Sequence, residues 1–76
     1  MLVKPGDIWK FDERTVSTDK DSFGGEMYYI ESGDFIVIIH TEGAINGQGE
    51  QLAKVLSRFG TIYVYIPDIM KNAVRV

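Results

Sequence analysis

Residues 54–68, Lys54-Val55-Leu56-Ser57-Arg58-Phe59-Gly60-Thr61-Ile62-Tyr63-Val64-Tyr65-Ile66-Pro67-Asp68, read in order as an apolar run, a glycine-marked turn, an alternating strand and a Pro-Asp stop. A strand sends successive side chains to opposite faces. Ile62, Val64 and Ile66 therefore belong on one face, and Tyr63 and Tyr65 on the other. Proline has no N–H to give to a sheet ladder, so Pro67 ends the strand. One helical turn over 68–73 and a closing strand over 74–76 complete an order that suits the end of a small β-barrel.

A chain of 76 residues has room for a single core, so 1–76 is read as one small domain. Its 45% apolar content is too high for a disordered chain, and eight glycines favour turns and strands. The absence of cysteine excludes a disulfide scaffold and a thiolate zinc site. No apolar run approaches the ~18 residues of a membrane span, and the first residues hold no apolar leader. A soluble, cytoplasmic protein without membrane contact is the expectation. Eleven carboxylates face eight Lys and Arg, and the cations are scattered. Nucleic-acid binding draws most of its affinity from neutralised phosphates, so a nucleic acid is the lesser expectation as partner.

Lys4-Pro5-Gly6-Asp7 carries turn chemistry, with Pro presetting φ and Gly supplying a positive one. Ile8-Trp9-Lys10-Phe11 starts the first strand, with Trp9 and Phe11 sharing a face. Polar residues and the Gly24-Gly25 pair make 12–26 a long loop. Residues 27–31 read as a strand, Ser32-Gly33-Asp34 as a tight turn, and 35–40 as a near-continuous apolar strand covered on both faces. Of Tyr28 and Tyr29, one should point outward. Gly43, Asn46, Gly47 and Gly49 mark a second loop.

Residues 49–59 support two readings. Leu52, Val55, Leu56 and Phe59 fall at i, i+3, i+4 and i+7, with Gly60 as a helix cap, which would give an α+β fold. Alternatively, 51–57 and 61–66 pair as a hairpin across Arg58-Phe59-Gly60. The hairpin is preferred, because a crossover would leave an orphan parallel pair in so short a chain. The fold class read from the sequence is thus all-β, a small barrel of about five strands with one helical turn near the end.

The layout resembles the Src-homology-3-like barrel, of the short bacterial or phage-encoded type, over most of 7–76. The family has a short strand and a long irregular loop, similar to 8–11 and 12–26. A diverging turn and a strongly apolar strand follow, as in Ile30-Glu31-Ser32-Gly33-Asp34-Phe35-Ile36-Val37-Ile38, and the family ends on Tyr-Ile-Pro, as in Tyr65-Ile66-Pro67. The resemblance implies an aromatic groove for polyproline ligands, and Tyr65 and Pro67 match two of its positions. The groove Trp falls at Leu52, the Tyr of the helical turn at Met70, and the first aromatic motif becomes Trp9-Lys10-Phe11-Asp12. Without the central ring, polyproline recognition is not expected.

No catalytic set emerges from the residues. His40 is the only histidine and has no nucleophile motif beside it. Asp19, Asp21 and Gly24 begin a calcium-loop spacing, but Ile30 stands where a bidentate Glu is required. Gly47 and Gly49 lack the third Gly and the Lys-Ser/Thr of a phosphate loop. The expectation is a non-enzymatic protein-binding module with no cofactor and no metal. By analogy with phage-type proteins of this form, it would be an inhibitor or adaptor acting on a host protein. The candidate partner-binding residues are Tyr63, Tyr65, Met70, Trp9 and Tyr29, because Tyr buries large area at low entropic cost. Two alternatives stay open: a nucleic-acid-associated barrel subunit that gathers Lys10, Lys54, Arg58 and Lys71, and an α+β ligand-binding domain using the Gly43 to Gly49 loop. The apolar strand 35–40 also leaves a homo-oligomer open.

Overall fold

The computed structural model describes residues 3–19, 25–44 and 51–76. Seven strands and one helix follow in chain order among them: β1 (Ile8–Phe11), β2 (Thr15–Thr18), β3 (Met27–Ile30), β4 (Phe35–Ala44), β5 (Gln51–Ser57), β6 (Gly60–Tyr65), α1 (Ile66–Asn72) and β7 (Ala73–Arg75). All strand pairs are antiparallel and form one curled sheet in the order β3-β2-β6-β5-β4-β1-β7, a half-barrel. The concave face holds the core: Trp9 and Phe11 from β1, Ile30 from β3, Ile36 and Ile38 from β4, Ala53 and Val55 from β5, Ile62 and Val64 from β6. Val3, Ile66, Ile69 and Ala73 complete it. The sequence alternation explains the selection, since residues paired across an antiparallel ladder share a face: Trp9 lies opposite Ile36, Val55 opposite Ile62, and Ala53 opposite Val64.

Three glycines with φ near +90° make the sharp connections. Gly6 follows Pro5 in a turn closed by the Asp7 N–H donating to the Lys4 carbonyl. Gly33 turns the chain between β3 and β4, where the Asp34 N–H donates to the Glu31 carbonyl and the Asp34 carboxylate accepts the Glu31 N–H. Gly60 closes the β5–β6 hairpin, in which Ser57 pairs with Gly60 and only Arg58 and Phe59 lie between. Neither of those residues has a positive φ, and Gly60 takes the left-handed position that closes the turn.

Helix α1 spans seven residues, too few to hold itself in water. Pro67 sits in its first turn, where a missing N–H costs nothing, and Asp68 and Lys71 complement its two ends. Burial of Ile66 and Ile69 fixes it to the core, each at roughly 1.5–3 kcal/mol. The helix ends at Ala73, which is already extended and whose N–H bonds back to the Ile69 carbonyl. Its last carbonyl, on Asn72, accepts the Asp12 N–H at the end of β1.

The structure departs from the sequence reading in two places and decides between its alternatives in a third. The strands number seven, because the polar stretch 12–26 contains β2. Thr15 and Ser17 face the interior and are buried, yet their hydroxyls donate to the Glu13 and Tyr28 carbonyls. A strand whose buried residues carry satisfied hydroxyls does not announce itself by apolar alternation. Secondly, of the two readings of 49–59 the preferred hairpin is the one that forms: residues 51–57 are strand β5, paired to β4 and β6, so the helical spacing across 52–59 is incidental. Leu56 and Phe59, which a helix would have buried, are exposed. Thirdly, 35–40 is covered on one face only: Ile36 and Ile38 are buried, whereas Phe35 and Ile39 are exposed.

Candidate functional site

The ladder registers define the convex face. Met27 lies opposite Thr18, Thr18 opposite Tyr63, Tyr63 opposite Lys54, and Lys54 opposite His40. This is one cross-strand row running over β3, β2, β6, β5 and β4. A second row, two residues along each strand, begins with Tyr29 opposite Val16 and continues with Tyr65 opposite Leu52. Tyr29, Tyr63 and Tyr65 thus occupy the same face of three adjacent strands, turned away from Ile62 and Val64.

Tyr29 is 44% exposed, and the Arg14 guanidinium stands 4.5 Å from its ring centre. Arg14 is held there by its Nε–H donating to the Glu31 carboxylate at 3.2 Å. Stacking on a guanidinium fixes the ring while leaving its other face open. Tyr63 and Tyr65 are half-buried between neighbouring strands. Leu52, paired opposite Tyr65, is almost fully covered. Met70 is exposed on α1, which begins directly after Tyr65.

Tyr28 points inward from β3, opposite Ser17, and its ring packs 5.1 Å from that of Phe59. Desolvation, followed by the negative charges of Glu26 and Asp19 and a hydrogen bond with Glu26, raises its phenol above the ordinary tyrosine range. Asp19 in turn accepts the Glu26 N–H across the open end of the β2–β3 hairpin.

Four of the five residues singled out from the sequence therefore reach the surface: Tyr29, Tyr63, Tyr65 and Met70. Trp9 does not. It is 7% exposed and packed in the core opposite Ile36. Val16 and Met27 join the tyrosine face and were not singled out from the sequence; Val16 lies in the stretch read as loop, Met27 begins the strand read over 27–31, and both are exposed. Only 43 and 44 of the second loop are described, as the end of β4, and 45–50 lie outside the described residues. The helix that would have given this loop an anion-binding terminus is replaced by β5.

The cations considered for a nucleic-acid surface do not share a row. Lys10 lies on β1 above the Phe35 ring, Lys54 on β5, Lys71 on α1, and Arg58 at the hairpin tip donates to the Asp34 carboxylate. Among the described residues no three His, Asp or Glu side chains stand close enough to hold a metal ion. No helix among them is long and apolar enough to cross a membrane. Compared with known proteins, the chain matches no family model, no curated protein and no solved structure.

Proposed function

We propose that this chain is a non-enzymatic protein-interaction module that binds its partner through the tyrosine face of β3, β2 and β6. The observation carrying this reading is the convergence of Tyr29, Tyr63 and Tyr65 on one convex surface, with Leu52 paired opposite Tyr65. Half-exposed tyrosines held by packing have little rotamer freedom left to lose, which is what a binding anchor requires. Partner chemistry follows from the lining: an apolar or aromatic segment that brings acceptors for the phenol hydroxyls.

The order of elements also supports a Src-homology-3-like barrel. A short strand, a hairpin arm, a diverging turn at 31–34, a long strand, a tight hairpin, one helix and a closing strand follow in that family's sequence. On this reading Leu52 takes the position of the groove Trp, so the surface is a shallow tyrosine platform and not a polyproline groove. A cytoplasmic inhibitor or adaptor of the phage-encoded kind fits such a small barrel.

Affinity capture from a bacterial lysate tests the reading, with the wild-type chain beside Tyr65→Ala at low and high salt. One protein retained at high salt by the wild type and lost by the variant is the expected result. Nucleic acid recovered only at low salt would transfer the function to the cations, because phosphate contacts weaken steeply with salt.

A further inference from the structure

The convex face has a second half with different chemistry. Val76 continues β7 and donates its N–H to the Ile8 carbonyl; Ile8 lies opposite Val37, and Val37 opposite Leu56. Val76, Ile8, Val37 and Leu56 form one aliphatic row over four strands, on the side away from the core. Phe35 and Val74 flank it from the next row, with Lys10 between them. Apart from the half-buried Val37, these apolar side chains are 43–73% exposed. Outward positions on a solvated sheet are ordinarily polar, and a strand apolar on both sides is ordinarily covered on both.

We propose that a second copy of this chain covers the row, in a two-fold symmetric dimer packed sheet against sheet. A two-fold axis through the middle of the row sets Val76 over the partner's Leu56 and Ile8 over the partner's Val37. The row is aliphatic from end to end, so it is complementary to itself. Lys10, the one cation among these outward positions of β1, β4 and β7, lies a row aside, with its ammonium 5.8 Å from the Phe35 ring centre. Among the described residues the strip runs to β7, the last strand in the sheet order.

The area sets the strength. A fully exposed side chain of this kind carries roughly 60–120 Å² of removable apolar surface, so the observed exposures leave roughly 170–350 Å² per copy. Interfaces are about 56–65% apolar, which brings the total for both copies to about 500–1,250 Å². Only the top of that range reaches the size of a stable specific interface, so the dimer is weak and reversible, with dissociation in the micromolar range or weaker.

Sedimentation equilibrium from about 10 µM to about 1 mM tests the proposal on the wild type, Leu56→Glu, Val76→Glu and Tyr65→Ala. Expected is a mass rising from one copy towards two for the wild type and Tyr65→Ala, with at least tenfold weaker association in both glutamate variants. Val76, the most exposed of the row, guards against a folding defect at Leu56. Trp9 emission confirms that each variant is folded. A wild-type chain that stays monomeric throughout overturns the proposal, as does a dimer that survives both glutamates or is lost in Tyr65→Ala.

Discussion

Replacing Gly60 by alanine isolates the backbone cost of the β5–β6 hairpin. A Cβ built at Gly60 meets no heavy atom within 4 Å, so the substitution carries no steric term. What remains is φ, at 91°, in the left-handed region that L side chains avoid at about 1–2 kcal/mol. Alanine also narrows the unfolded chain's freedom, which returns about 0.4–1 kcal/mol. The net loss is about 0–1.6 kcal/mol with a midpoint near 0.8 kcal/mol, and that midpoint is roughly 3–6 °C in Tm for a domain of this size. Asparagine tolerates this conformation better and should fall between glycine and alanine. The hairpin cannot easily shift to escape, because the Phe59 N–H donates to Ser57 Oγ, Phe59 packs on Tyr28, and Arg58 holds Asp34. Urea and thermal unfolding, followed by emission of the single, buried Trp9, measure the series. An alanine variant as stable as the wild type, or an asparagine variant below alanine, would refute the argument. The first would mean the hairpin re-forms with another turn, and the second that size, not φ, sets the cost.

Other outcomes follow from the same structure. Asp34→Ala should destabilise more than Arg58→Ala in denaturant titrations, because Asp34 also accepts the Glu31 N–H at the turn. The exposed ion pair alone is worth about 0–1 kcal/mol, and equal losses in the two variants would contradict this. Tyr28 is predicted to ionise later than an ordinary tyrosine. Its folded-state pKa is raised, so its contribution is fully present below the unfolded pKa and is lost as pH rises through the folded one. An ultraviolet phenolate titration should lose its most alkaline transition in Tyr28→Phe, and an unchanged curve would place the late tyrosine elsewhere.

The parts of the fold that could be read from sequence are those where local chemistry and burial agree. Pro5-Gly6 and Ser32-Gly33 specify turns through φ alone, and Ile62, Val64 and Ile66 alternate with two tyrosines too large and polar to share their face. The tyrosine face was legible for the same reason: Tyr63 and Tyr65 are outward because their neighbours are core. Strand β2 was hidden, because its inward residues are hydroxyls whose partners, the Glu13 and Tyr28 carbonyls, exist only in the folded chain. Trp9 shows the converse limit. Alternation put it with Phe11, but only the opposing Ile36 and the curl of the sheet determine that this shared face is the concave one. The aliphatic half of the convex face was visible as an apolar run at 35–40, yet a run cannot say which of its alternate residues face solvent. A bulge between Ile38 and His40 adds to this by leaving both Ile39 and His40 exposed.

The binding role of the tyrosine face is tested most directly by titrating the captured protein against Tyr65→Ala and Leu56→Glu in parallel. An anchoring tyrosine is worth about 2 kcal/mol or more, so Tyr65→Ala should weaken binding about 30-fold, while Leu56→Glu, on the other half of the convex face, should leave it nearly unchanged. Undiminished affinity in Tyr65→Ala, or a loss that follows Leu56→Glu instead, would contradict the account.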